Sequence, residues 1–116
     1  MLYEKTTVEE DQNKYIRYAS KISGNNLDFL AKLEGENGTW DPGRQSDYVY
    51  PNGVREDSWG FCQVHRPSHP EIVGDPRFFS DPYWQLDECL RLFLGGTPMY
   101  AVPKPGLFEL REIAID

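Results

Sequence analysis

Hydrophobic residues recur at helical spacing in three stretches of the chain, and these stretches predict the main helices. The first spans residues 7–22, where Thr7 opens a capping-box pattern and the apolar residues share one face. The second spans residues 27–37 and has an apolar face of leucine and alanine. The third spans residues 82–94, with proline at its first position and two glycines after its end. The pattern therefore predicts a mainly helical protein.

The segments between these helices predict turns and short strands. Residues 44–58 combine tyrosine and valine with a Pro-Asn-Gly turn, which predicts a small β-hairpin, with an ordered loop as the alternative. Pro70 opens a single helical turn ending at Val73. Residues 106–116 predict a short strand or helix that docks on the body, or a partly ordered tail. The predicted fold class is α+β, mainly α, with one domain over residues 1–116.

Composition narrows the possible functions. A chain of 116 residues with 39% hydrophobic and 14% aromatic residues suits one folded domain. The net charge of -7 argues against nucleic-acid binding, which needs a basic face, but leaves neutral sugars possible. No apolar run approaches the roughly 18 residues of a membrane span. The acidic N-terminus does not resemble a signal peptide. We therefore expect no nucleic-acid partner and no membrane insertion.

The cysteine and histidine residues predict no cofactor. Cys62 and Cys89 permit one disulfide, and two buried free thiols are an equal alternative. His65 and His69 are four residues apart, as metal ligands on one helix face would be. The prolines beside them disfavour a helix, and no third ligand is evident. We therefore expect neither a metal site nor another cofactor.

Two motifs in order resemble the lysozyme-like superfamily, which includes lytic transglycosylases and the goose-type and chicken-type lysozymes. The first is LAKLEGENGTWDP at residues 30–42, and the second is EDSWGFCQVHR at residues 56–66. Residues 58–64 match the family pattern Ser/Tyr-x-Gly-apolar-apolar-Gln-apolar. Residues 84–96 resemble the family helix that follows an Asp-Pro entry. The resemblance covers about residues 26–101 and implies a lysozyme-like fold with a short β-hairpin at the cleft.

The family carries a catalytic Glu at the end of a helix, and two residues compete for this position. The apolar residues that precede the helix end fit Glu34 as the catalytic residue. The sequence Asn-Gly-Thr-Trp-Asp-Pro at residues 37–42 fits Glu36 better, with one residue more than the family pattern. We prefer Glu36. Glycoside cleavage needs a protonated acid beside the scissile oxygen, and a Glu on a partly apolar floor can supply it. Candidates for this apolar wall are Trp40, Trp59, Tyr48 and Tyr50.

The resemblance also implies residues that contact the substrate, and a partner carboxylate is an open question. The substrate-binding candidates are Ser58, Gly60, Gln63, Trp59, Tyr100 and Asp57. A glutamine amide both donates and accepts, which suits an N-acetyl group, and glycine allows close approach of the backbone. Asp47, Glu56 and Asp57 are the candidates for a second acid, and of these we interpret Asp47 and Glu56 as solvated turn residues and retain Asp57. The alternative is that all three are solvated turn residues, since many family members are described with one essential Glu.

The function implied by the resemblance is cleavage of the β-1,4 bond between N-acetylmuramic acid and N-acetylglucosamine in peptidoglycan. The enzyme would be a lysozyme or a lytic transglycosylase, and chitin is a related substrate. The Tyr-Asn-Ala-Gly segment of transglycosylases is not reproduced after Tyr100, which leaves the subfamily open. We expect a monomer acting in an extracytoplasmic or phage-associated setting. The contrasting hypothesis is a lysozyme-like saccharide-binding or structural protein without catalysis, which the negative charge favours.

Overall fold

The computed structural model describes residues 2–3, 10–97 and 112–113, and in them the protein is α+β and mainly helical, as predicted. The elements in chain order are β1 (Leu2–Tyr3), α1 (Glu10–Ser23), α2 (Leu27–Glu36), β2 (Ser58–Trp59), β3 (Val64–His65), α3 (Pro70–Val73), α4 (Arg77–Ser80), α5 (Pro82–Leu94) and β4 (Glu112–Ile113). The described strands form two antiparallel pairs, β1 with β4 and β2 with β3.

Helix α2 begins at Leu27 as the sequence predicts and ends at Glu36, one residue before its predicted end. The side chain of Asn26 accepts a hydrogen bond from the Phe29 N–H at 3.1 Å and so caps the first turn. Leu30 and Leu33 are fully buried on the face toward the core. The N–H of Asn37 then donates to the Leu33 carbonyl at 2.8 Å as the helix ends. Glu36 is therefore the last helical residue.

Helix α5 begins and ends at the predicted residues, Pro82 and Leu94. Asp81 accepts hydrogen bonds from the N–H groups of Tyr83 and Trp84, both at 3.1 Å, and Pro82 occupies the first turn. The Gly95 N–H closes the helix on the Arg91 carbonyl at 3.0 Å. Helix α5 packs against α1 and α4. The buried hydrophobic core is formed by Ile16, Ala19, Phe29, Leu30, Leu33, Trp40, Phe61, Cys62, Val64, Ile72, Val73, Phe78, Leu86, Cys89 and Leu92.

The segment predicted as a small β-hairpin is, at residues 46–56, a hairpin-shaped loop without described strands, closed by an isolated antiparallel bridge between Val49 and Arg55; we call it the outer hairpin. The N–H of Tyr50 donates to the Val54 carbonyl at 2.8 Å, and the N–H of Glu56 donates to the Tyr48 carbonyl at 2.7 Å. Strands β2 and β3 form a second hairpin directly after it, with Ser58 opposite His65. This second hairpin contains the Gly-containing motif of the sequence, and its turn lies at residues 60–63.

A disulfide between Cys62 and Cys89 joins this turn to helix α5 and decides between the two alternatives for the cysteines. The linked residues are 27 positions apart in sequence. Both cysteines are buried, so the covalent link passes through the core. The β2–β3 hairpin is thereby tied to the helical body.

The remaining helices, α1, α3 and α4, differ in part from the helices that the sequence predicts. Helix α1 is described from Glu10 and ends at Ser23, one residue beyond its predicted end, while its predicted start at Thr7 lies outside the described residues. Helix α3 begins at Pro70 as predicted, whereas the short helix α4 was not predicted. No helix in the described ranges is both long and apolar enough to span a bilayer.

Candidate functional site

A cleft of about 570 Å³ lies between the end of helix α2, the outer hairpin, the β2–β3 hairpin and the end of helix α5. Its volume falls within the range of about 300–1,000 Å³ that is usual for ligand pockets. The lining residues are Glu36, Tyr50, Glu56, Ser58, Cys62, Gln63, Val64, His65, Ser68, His69, Leu92 and Thr97. Carboxylates, hydroxyls, an amide and apolar side chains therefore share one concave surface.

The two candidate acids at the end of helix α2 occupy different environments. Glu36 is partly exposed and lines the cleft. Glu34 has only 1% of its surface exposed, and its carboxylate accepts a hydrogen bond from the Trp40 indole N–H at 2.6 Å. Trp40 is itself buried in the core and does not line the cleft. Of the two acids, Glu36 is therefore the one that a ligand in this cleft can reach.

Ser58 and Gln63 also lie in the cleft, as the resemblance implies. The Gln63 side-chain amide donates to the carbonyls of Gly60 at 2.8 Å and Arg44 at 3.2 Å. Both N–H groups of this amide are therefore engaged, which leaves its oxygen to face a ligand as an acceptor. Gln63 also has φ of 53°, a left-handed backbone that is uncommon for residues other than glycine.

Three other candidates for substrate contact lie outside the lining of the cleft. Trp59 packs edge-on against Phe79, with ring centroids 5.6 Å apart, and its indole N–H donates to the Asp57 carboxylate. The same carboxylate pairs with Arg66 at 3.2 Å. Gly60 is buried at the start of the turn. Tyr100, the remaining candidate, lies outside the described residues.

Two buried amides that the sequence analysis did not single out hold Gly60 in place. Asn37, the residue after Glu36, donates its amide to the carbonyls of Asp41 at 2.7 Å and Gly60 at 3.0 Å. Gln85 of helix α5 accepts from the Phe61 N–H at 2.7 Å. The signal available in the sequence was a polar residue within each apolar helix pattern, but surface exposure explains that signal equally well. These bonds fix the β2–β3 turn relative to Glu36.

The three candidates for a partner carboxylate differ in their ion pairs and in whether they line the cleft. Asp47 pairs with Arg44 and with Arg55, the latter at 3.3 Å, and it is well exposed. Asp57 is engaged by Trp59 and Arg66 as described above. Glu56 alone of the three lines the cleft. The structure therefore brings Glu56, rather than the preferred Asp57, into the same cleft as Glu36.

Two histidines, His65 and His69, line the cleft as well. The Nδ1 atom of His65 lies 2.9 Å from the Ser68 hydroxyl, and Nδ1 of His69 lies 3.6 Å from a carboxylate oxygen of Glu71. Among the described residues, no group of three or more potential ligands could hold a metal ion. These histidines serve as polar lining of the cleft.

Comparison of the chain with models of known protein families, with curated proteins and with solved structures finds no match. The function is therefore inferred from the residues of the cleft and from the sequence motifs that form it.

Proposed function

We propose that the protein cleaves the β-1,4 bond between N-acetylmuramic acid and N-acetylglucosamine in peptidoglycan, with Glu36 as general acid, and that its fold is lysozyme-like. The observation that carries the proposal is the position of Glu36 at the end of helix α2, in one cleft with Ser58 and Gln63 of the second motif. A helix end holds this carboxylate in a defined position, and the cleft gives a glycan strand access to it.

In this mechanism, protonated Glu36 donates its proton to the glycosidic oxygen as the bond to the anomeric carbon breaks. The leaving sugar departs as a neutral alcohol, and positive charge develops on the ring that remains. The side-chain oxygen of Gln63 accepts a hydrogen bond from the N–H of an acetamido group. The ring of Tyr50 supplies an apolar wall against which a sugar face packs.

Glu34 has a structural role in this proposal. Its carboxylate sits beneath the helix end and binds the indole of Trp40, so it supports the core next to Glu36. Glutamine at this position retains an oxygen that can accept the same indole hydrogen bond. Glu34→Gln is therefore a matched control for Glu36→Gln, since both variants remove one carboxylate within three residues of sequence.

The test is digestion of purified peptidoglycan by the wild type and by both variants, with mass spectrometry of the products. We expect Glu36→Gln to lose about 100-fold or more in rate, as general acid catalysis contributes roughly 100- to 10,000-fold. Glu34→Gln should retain most activity. Loss of activity in Glu34→Gln alone would move the acid to Glu34. If folded wild type releases no products from peptidoglycan or chitin oligomers, the alternative of a saccharide-binding protein without catalysis replaces the proposal.

A further inference from the structure

We infer that Glu56 is the second carboxylate of this site and takes a proton from the water that attacks the anomeric carbon. The inference rests on the proposed function and extends it, because it makes the reaction a hydrolysis rather than a transglycosylation. Glu36 comes from a helix end and Glu56 from the outer hairpin, yet both line the same cleft. A bond held between these two elements has one carboxylate for its leaving oxygen and another for a water molecule.

The other acids of this region are already engaged in the structure. Asp47 is paired with two arginines, and Asp57 is bound by Arg66 and by the indole of Trp59. Within the described part of the chain, the Glu56 carboxylate forms no hydrogen bond and no ion pair. A half-buried carboxylate in a cleft, without a partner among the described residues, is available to bind water. The arginines therefore leave Glu56 as the acid that can act on the substrate side.

The main chain of Glu56 is held firmly, although its carboxylate is open. Its N–H donates to the Tyr48 carbonyl at 2.7 Å, and its carbonyl accepts from the Gln45 side chain at 3.1 Å. Both main-chain groups of residue 56 are thus bonded to the preceding segment, at residues 45 and 48. A general base has to lie within hydrogen-bond reach of the proton that it accepts. A fixed main chain at residue 56 helps to keep the Glu56 carboxylate in such a position.

The proposed step balances without any further reactant. The water oxygen forms a bond to the anomeric carbon while the bond from that carbon to the glycosidic oxygen breaks. The electron pair of the broken bond goes to the leaving oxygen, which takes the proton of Glu36, and Glu56 receives a proton from the water. Water attacks the face opposite the leaving group, so the β-linked substrate gives an α-configured product. Exchange with solvent then returns both carboxylates to their starting states.

The experiment compares Glu56→Gln with Asp47→Asn, which removes a carboxylate from the same hairpin but outside the cleft. We expect Glu56→Gln to lower kcat about 100-fold or more with little change in KM, while Asp47→Asn stays near wild type. Sodium azide should restore turnover to Glu56→Gln and yield an α-glycosyl azide, an effect that a merely structural residue would not show. In the wild type, nuclear magnetic resonance should detect the α-anomer as the first product. Unchanged thermal unfolding of both variants shows that each is folded.

Three results would overturn the role of Glu56 and leave the proposed function intact. These are 1,6-anhydro product ends, a β-anomer formed first, and a Glu56→Gln variant as active as Asp47→Asn. In each case the wild type still cleaves the glycan and Glu36→Gln does not. Absence of cleavage by the folded wild type would instead remove both proposals together.

Discussion

Gln85 occupies the space that any side chain at residue 60 would need, since a Cβ atom added to Gly60 would lie 2.2 Å from the Gln85 Oε1 atom. Gln85 is fully buried and cannot swing away without cost. Its amide also donates to the carbonyls of Pro42 at 3.0 Å and Phe78 at 2.8 Å. Gly60 in addition has φ of 83°, which glycine alone adopts readily.

Gly60→Ala should therefore lower the free energy of unfolding by about 3 kcal/mol or more. The overpacking costs roughly 1–3 kcal/mol, and the left-handed backbone costs roughly 1–2 kcal/mol for an L-residue. Gly53→Ala is the matched control, because Gly53 has φ of 87° but nothing within 4 Å of its added Cβ. The measurement is urea unfolding of both variants. Equal losses in the two would show that contact with Gln85 contributes nothing.

Asn37→Ala should cost about 2 kcal/mol of unfolding free energy. Asn37 is buried. Its replacement removes the hydrogen bond that its amide donates to the Asp41 carbonyl and the one that it donates to the Gly60 carbonyl. Asn37→Asp should behave similarly, since it removes the same donor without changing the size of the side chain. Exposed Asn52, changed to Ala, serves as the control. Chemical denaturation that ranks Asn52→Ala as the more harmful change would contradict this account.

Replacement of Cys62 and Cys89 by serine should lower the free energy of unfolding by about 3–4 kcal/mol, as expected from the chain entropy of a loop of this length. The disulfide also ties the wall of the cleft to helix α5. We therefore expect weaker binding of chitin oligosaccharides by the double variant, even where it remains folded. Calorimetry of unfolding and of oligosaccharide binding measures the two effects separately. A double variant with wild-type values in both would show that the covalent link is dispensable.

Tyr18 should make the protein less stable at high pH. Burial and the hydrogen bond that its hydroxyl donates to Asp87 at 2.7 Å raise the pKa of Tyr18 from 10.0 to about 12. The folded state thus retains the phenol proton longer than the unfolded state does. Its stabilising effect is complete below pH 10 and is lost as the pH rises from about 10 to about 12.

Tyr18→Phe should remove this part of the pH dependence, as measured by urea unfolding between pH 8 and pH 12. The Phe ring retains the edge-on packing against Tyr83, whose centroid lies 4.8 Å away, so the comparison isolates the hydroxyl. Tyr48→Phe, on the exposed outer hairpin, is the control. An alkaline loss of stability that is as steep in Tyr18→Phe as in the wild type would assign the effect to other groups.

Local signals in the sequence predicted the main helices of the fold well. Asn26 and Asp81 are N-caps whose effect operates within one turn, so the starts of α2 and α5 could be predicted without knowledge of the rest of the chain. The disulfide could not be decided in this way, because spacing along the chain does not show whether the two cysteines lie close enough to bond. Helix α4 was missed because four residues carry too little periodicity to distinguish a helix from a turn.

The candidate site was harder to predict. Contacts between segments that are distant in sequence determine which of its residues face the cleft. Residues two positions apart on a helix point in directions about 160° apart, because each residue is rotated by about 100° from the one before it. Glu34 and Glu36 therefore had to face different surroundings, but the pattern did not show which one faced the cleft. Glu56 was given less weight than Asp57 because the arginine partners of the acids could not be assigned before the hairpins were in place.

The main-chain carbonyl of Gly60 receives the side-chain amides of Asn37 and Gln63 and the N–H of Gln63. One oxygen atom thus accepts three hydrogen bonds. A substitution at any of these residues is expected to disturb the hydrogen bonds of the others. Natural variation or laboratory selection for altered ligand preference therefore has little freedom at Gly60. Under the proposed function, we expect such change at lining residues such as Tyr50 and Thr97, whose side chains form no hydrogen bonds to main-chain groups of the described residues. The turn that carries Gly60 is therefore expected to vary less than the other walls of the cleft.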